Sequence, residues 1–301
     1  MRAERLPELL KTCYGMDGAA VEFLREGGSR TYRVDGTGKY LLKVIGSAFS
    51  DTARQSVSVM RDLEASGLPV PKTILTKQGE ALAEAEEGGE TFLLVLQEYI
   101  EGEEPDMEAR AEEIGVLTSR LHSCMEQRPG ELALRGRDFF IRRYLNFLRQ
   151  KAYPRLAAYE KLGDALWKRV ENLPCGNCHG DLHRGNLLET PEGKIFILDF
   201  DTVCRAPRMF DITVMCDLTD YFRLKPEDIA LTKRVFGRFL AGYERILPLS
   251  DAEKRSFADW VAIRHFQLQA TILEVYGADC IDERFIDAQL MWLEAWLRAA
   301  A

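Results

Sequence analysis

The hydrophobic and polar positions of this chain change rhythm near residue 101. Before it, Leu6, Leu9 and Leu10 share one face of a short helix-length stretch over residues 1–15. Three β-rich runs follow: Ala20–Glu26, TYRVD at 31–35 and KYLLKVI at 39–45. The separating turns GGSR and DGTG carry the glycine and Asp-Gly signals of hairpins, so the spacing predicts an antiparallel meander with Lys43 on its third strand. A helix is expected over 51–66, stopped by the LPVP of Leu68–Pro71. Two further strands are expected near Lys72–Lys77 and Thr91–Tyr99, with GEALAEAEEGGE between them as a turn-rich connection.

After Glu101-Gly-Glu-Glu-Pro105 the repeat is mostly helical: residues 107–125, 137–172 interrupted at Pro154, 225–246, 251–275 and 283–300. A short irregular and β segment, 174–200, interrupts it. The expected fold is α+β and bilobal. Residues 1–101 form a small antiparallel sheet with one helix, and residues 102–301 form a larger, mainly α-helical lobe. No internal repeat or low-complexity tract is visible.

Composition narrows the function classes. With 301 residues and 46% hydrophobic positions the chain can bury a sizeable core. Its net charge of −8, from 40 Lys and Arg against 48 Asp and Glu, argues against a general nucleic-acid binder. The N-terminal MRAERLPELLKTCYG lacks an apolar core of signal-peptide length, and the longest apolar run, Phe92–Leu96, is strand-sized. A cytoplasmic protein with no membrane partner is expected. The seven cysteines (Cys13, Cys124, Cys175, Cys178, Cys204, Cys216 and Cys280) are odd in number and scattered, which reads as free thiols.

The chemistry concentrates in CGNCHGDLHRGNLLETPEGKIFILDFDTVCRAPRMFD, Cys175–Asp211. Asp181 and Asn186 lie five apart in a short polar loop, and the strand-like KIFIL delivers Asp199 at its end. The PEG turn folds LLET back on KIFIL, which is expected to gather Asp181, Asn186 and Asp199 around one point. Phosphoryl transfer needs such a set, because it consists mostly of positioning and charge neutralisation. Magnesium takes carboxylate and amide oxygens, and a further carboxylate must orient the attacking hydroxyl and accept its proton.

HGDLHRGN followed by ILDFD resembles the catalytic loop and metal-binding motif of the aminoglycoside phosphotransferase and choline kinase superfamily, distant relatives of protein kinases. Lys43, the hinge-like LQEYIEG and Phe210-Asp211 fall in the same order, so the resemblance covers most of the chain. It implies an ATP- and magnesium-dependent transfer of the γ-phosphate to a hydroxyl of a small molecule, such as an aminoglycoside-, choline- or homoserine-like alcohol. In that reading Asp181 is the catalytic base, and Asn186 and Asp199 hold magnesium. Lys43 contacts the ATP phosphates, and Glu98 and Ile100 present backbone groups to adenine. Gly27, Gly28 and Ser29 either close over the phosphates or form a plain hairpin turn. Asp211 resembles the family's structural aspartate.

Several features depart from these patterns. Gly180 stands where protein kinases have the arginine of HRD, Asp201 stands where they have the glycine of DFG, and no APE-type segment follows. A constitutively assembled site and a small substrate are expected. The small-lobe helix should supply a glutamate to Lys43, but the expected positions hold Gln55 and Ser56, and Glu64 sits near the helix end. Either Gln55 orients Lys43 or another partner does. The missing glutamate also keeps open a non-catalytic binding or structural protein of this fold, like the spore-coat relatives of the superfamily.

Other signals are weaker. Cys175-Gly-Asn-Cys178-His179 matches the CxxCH of haem attachment, but no secretory signal accompanies it and His179 belongs to HGD. Asp35-Gly-Thr-Gly-Lys39 lacks the upstream glycine and the Ser/Thr of a phosphate loop. His122 and His265 lie in helical segments and read as structural. The acidic groups at 101–106 and 274–287 read as solvated faces or as a surface for cationic substrates.

Overall fold

The computed structural model describes residues 1–300 except Pro129, Phe222 and Leu224. It divides into two compact units. The first is Met1–Pro105 with Gly185–Thr202, and the second is Asp106–Arg184 with Val203–Ala301.

The first unit is built on a five-stranded antiparallel sheet of order β1-β2-β3-β5-β4. Its strands are β1 (Ala20–Glu26), β2 (Arg30–Asp35), β3 (Lys39–Gly46), β4 (Ala83–Glu87) and β5 (Glu90–Glu98). Strand alternation sorts the side chains. Leu42 and Val44 of β3 and Leu94 and Leu96 of β5 point to one face, packed with Tyr32, Val34, Leu6 and Leu10. Leu6 opens α1 (Leu6–Leu9), which continues as a π-helical turn to Tyr14. Ile45, Leu93 and Val95 point the other way, onto Ala53 and Val57 of α2 (Ser50–Ala65). Lys43, between Leu42 and Val44, therefore lies on the α2 face, opposite Val95 in the ladder.

One expectation needs correction here. The strand predicted near Lys72–Lys77 is an irregular segment, tied to the sheet by a single bridge from Thr73 to Gln97. The fifth strand is β4, within the stretch expected to be a turn-rich connection. Ala83 and Ala85 are buried and Glu84 is exposed, an alternation that glutamates of low β-propensity had disguised. Charged side chains on this edge strand discourage pairing with other chains.

Residues 185–202 join this unit through β7 (Leu187–Glu189) and β8 (Ile195–Ile197), which pair antiparallel. The Ile197 N–H donates to the Pro69 carbonyl, and Glu103 and Glu189 exchange backbone hydrogen bonds. Gly102 makes that approach feasible, since a Cβ there would sit 2.6 Å from the Glu189 carbonyl oxygen.

The second unit is helical, with α3 (Met107–Gln127), α4 (Arg143–Gln150), α5 (Leu156–Val170), α6 (Met209–Cys216), α7 (Pro226–Tyr243), α8 (Asp251–Arg255), α9 (Phe257–Tyr276) and α10 (Glu283–Ala300). A two-stranded ribbon pairs β6 (Cys175–Cys178) with β9 (Cys204–Pro207). Helix α9 carries Trp260 and Phe266 into an aromatic core with Phe140, Tyr144, Tyr159 and Phe210. Helices α3 and α7 cross at Gly115 and Gly242, where any Cβ would overlap the carbonyl of Phe239 or Glu112. All seven cysteines are free thiols, and no helix among the described residues is long and apolar enough to cross a membrane.

Candidate active site

Of the residues singled out in the sequence, the first unit brings five to one cavity of about 230 Å³: Lys43, Glu98, Ile100, Asn186 and Asp199. Apolar walls come from Leu24, Leu41, Leu188 and Leu198. Gly27, Gly28 and Ser29 form the β1–β2 turn but do not line it; Leu24 and Arg25 of the same hairpin do. A register irregularity between Phe23 and Arg25 locally re-aims that strand.

Lys43 is 6% exposed and makes two charged hydrogen bonds. Its Nζ donates to Asp199 Oδ1 at 2.7 Å and to Asp201 Oδ2 at 2.9 Å. The Ser56 hydroxyl donates to the other oxygen of Asp201 at 3.0 Å. The question left by the missing helix glutamate is thereby answered. Asp201, at the position protein kinases give to glycine, partners Lys43, and Ser56 on α2 orients Asp201. The signal was present in DFD, whose two carboxylates lie two residues apart.

Burial pushes the Lys43 ammonium down, but the charges of Asp199 and Asp201 outweigh it and hold it above the usual lysine value. Burial likewise pushes the Asp199 carboxyl up, and Lys43 and Arg25 more than reverse this, keeping it ionised. Arg25 Nη2 lies 3.3 Å from Asp199 Oδ2, a contact that no sequence motif announced. Asp199 itself has φ +63°, the left-handed region that aspartate tolerates better than most residues. Such strain is stored where the surrounding structure over-determines a side chain's aim. A carboxylate and an amide oxygen in one cavity are a hard-oxygen donor set of the kind magnesium takes, so Asp199 and Asn186 fit that ion.

Asp181 lies in the second unit, in the loop after β6. That loop is anchored by Asp211 in the first turn of α6. The fully buried Asp211 carboxylate accepts from the His179 N–H at 2.7 Å and the Gly180 N–H at 2.9 Å. It also pairs with His122 Nε2 at 3.0 Å, while His122 Nδ1 meets the Tyr243 hydroxyl at 2.7 Å. Burial pushes the Asp211 carboxyl up, but His122, followed by His179 and Gly180, holds it below its ordinary value. Gly180 has φ +85°, which explains why glycine stands at this position of HGD. The loop then turns so that the His183 N–H donates to the Asp181 carbonyl at 2.9 Å, with His183 Nε2 3.6 Å from the Asp181 carboxylate.

The CxxCH stretch serves this scaffold. Cys178 is buried, its thiol faces the Ala206 carbonyl at 3.5 Å, and burial pushes it far above the usual thiol range. Cys178, His122 and Asp211 lie close enough to hold a metal ion. Both His122 nitrogens and the Asp211 oxygens are, however, already engaged in hydrogen bonds.

Comparison with known proteins bears on the fold and the family. A protein of Deinococcus radiodurans described as uncharacterized is 26% identical over 97% of this chain and 89% of its own length. A homoserine kinase of Pseudomonas aeruginosa is 27% identical over 54% of each chain, so the match spans about half the length of that relative. The solved amicoumacin kinase hAmiN, in complex with AMP-PNP, Ca2+ and Ami, superposes with a TM-score of 0.79 at 18% identity, covering 99% of this chain and 94% of its own. It shares the protein-kinase-like fold, with an N-terminal antiparallel sheet and a mainly helical C-terminal part. Residues 20–254 match the phosphotransferase enzyme family (APH), and the chain belongs to that family.

Proposed function

We propose that this protein transfers the γ-phosphate of ATP to a hydroxyl of a small molecule. The observation that carries the proposal is the cavity where Lys43, held by Asp199 and Asp201, faces the same space as Asn186, Glu98 and Ile100. Lys43 binds the α- and β-phosphates. The Glu98 N–H is taken by the Lys72 carbonyl at 2.8 Å, so Glu98 offers adenine its carbonyl and Ile100 offers its N–H. Asn186 and Asp199 would hold magnesium, which when bound neutralises phosphate charge. Arg25, on the cavity wall, adds a second cation for the phosphates, a role that Gly27, Gly28 and Ser29 share only by turning the hairpin.

Asp181 orients the acceptor hydroxyl and takes its proton as the new oxygen–phosphorus bond forms and the bond to ADP breaks. Asp211 positions Asp181 by fixing the two preceding N–H groups. The missing helix glutamate had favoured a non-catalytic reading. Asp201 and Ser56 supply the positioning that glutamate would give, which supports catalysis.

Calorimetric titration of Mg·ATP, followed by ADP release across a panel of alcohols, tests the proposal. Magnesium-dependent binding and turnover of at least one alcohol are expected. Metal-independent binding with no phosphorylated product would overturn it.

A further inference from the structure

One polar side chain on the wall of the first unit's cavity takes no part in holding phosphate or metal. Gln97 directly precedes Glu98 on β5, is 5% exposed and lines the cavity. Strand alternation puts it on the same face as Val95, and the ladder sets it opposite Leu41, another wall residue. Its Nε2 donates to Met60 Sδ on α2 at 3.3 Å. Its Oε1 has no hydrogen-bond partner among the described residues. Nor is that oxygen one of the fully enclosed atoms that lack a partner, so it opens onto the cavity.

A buried carboxamide whose oxygen is unused carries a cost that an apolar side chain of the same size would avoid. Met60 decides which half of the amide is left over. A thioether accepts hydrogen bonds and cannot donate them, so turning the amide over would set two acceptors against each other. Gln97 therefore presents an acceptor to the cavity. The neighbouring Glu98 has its N–H taken by the Lys72 carbonyl and likewise offers an acceptor. Two successive acceptors suit a ring-bound amine with two hydrogens. Adenine carries such an amine at N6, where guanine carries the acceptor O6.

We infer that Gln97 is a specificity-determining residue that reads position 6 of the purine, its Oε1 accepting the N6–H that the Glu98 carbonyl leaves over. An adenine nucleotide satisfies both acceptors through one amine. A nucleotide with O6 sets a third acceptor against them and leaves the Gln97 oxygen without a donor, so it is discriminated against. Met60 is a positioning residue: it holds the amide in the accepting orientation and does not touch the base.

This inference rests on the phosphotransferase reading, which supplies the nucleotide, and its test separates the two. Calorimetry gives Kd for Mg·ATP and for Mg·ITP, whose hypoxanthine carries O6 in place of the amine. Both are measured for the wild type, Gln97→Met and Met60→Leu. The wild type is expected to bind ATP about 10–100-fold more tightly than ITP. Gln97→Met keeps the side-chain length and removes the acceptor, so that ratio should fall by about 5–10-fold, mainly through weaker ATP binding. Met60→Leu conserves volume and lets the amide turn its N–H toward O6, so ITP should gain about 2–5-fold while ATP barely moves. Equal wild-type affinities for the two nucleotides would overturn the assignment. So would a Gln97→Met that weakens both equally, which marks a packing role, or one that leaves the ratio unchanged. Should Gln97→Met not fold, Met60→Leu decides, and an unchanged ITP affinity there overturns the inference. Each of these contrary results leaves the phosphotransferase reading standing. If neither nucleotide binds the wild type with magnesium, that reading fails and this inference fails with it.

Discussion

Two aspartates, twelve residues apart, show how the same side chain is used in opposite ways. Asp211 is fully buried, and its donors are two backbone N–H groups and a histidine that is itself hydrogen-bonded to Tyr243. None of its surface is open to a ligand. Asp199 is partly exposed on a cavity wall, held in a left-handed conformation, and paired with two long-chain cations, Lys43 and Arg25. Those partners can exchange a carboxylate for a phosphate. A saturated carboxylate among fixed donors builds structure, whereas a charged one among exchangeable partners is placed for chemistry.

The contrast breaks first at its buried end. Asp211→Ala should cost about 3–5 kcal/mol, because it strands buried donors without their acceptor; denaturant titration reads the loss, and a stability near wild type would refute the structural role. Asp199→Asn should instead lower turnover by about 10²–10³-fold, the scale of removing one electrostatic group from a site. Its melting temperature should move far less than that of Asp211→Ala, since Lys43 keeps Asp201. A large drop in melting temperature with normal turnover would reverse the assignment.

A third contrast involves pH. His265 is fully buried among Tyr221 and Trp292, and burial, followed by the charge of Arg264, pushes its pKa down to about 3. The unfolded chain binds that proton near the ordinary histidine value of about 6.5. Its contribution to stability is therefore full above that pH and is lost as pH falls toward 3, by at most about 1.4 kcal/mol per unit. His265→Phe should flatten the urea midpoint between pH 6.5 and 4.5, and an unchanged slope would place the acid sensitivity elsewhere. The smallest effect is expected from Ser56→Ala. Losing one hydrogen bond to Asp201 is worth about 1 kcal/mol, roughly five-fold in the KM for ATP. An unchanged KM would mean that Lys43 needs no help from α2.

The sequence made the strands around Lys43 legible because their β-rich runs are bounded by glycine and Asp-Gly turns; β3 itself is buried on both faces, Leu42 and Val44 on one side and Lys43 and Ile45 on the other. HGDLHRGN and DFD were legible because their spacing is local. Two kinds of feature escaped. Helix α6 is buried at all eight positions, so it has no polar face to mark its period, and only the resemblance at Asp211 pointed to a helix starting there. Strand β9 forms only by pairing with β6, nearly thirty residues back. Arg25 reaches Asp199 across 174 residues of chain and was missed for the same reason.

The central claim is that Asp181 acts as the base of a phosphotransferase, and one measurement tests it most directly. Phosphorylation of the best alcohol substrate is compared between wild type and Asp181→Asn, with Mg·ATP affinity measured in parallel. The account predicts a fall in kcat of about 10²–10⁴-fold, the usual contribution of a positioned general base, with nucleotide affinity unchanged. Retained turnover in Asp181→Asn would contradict it.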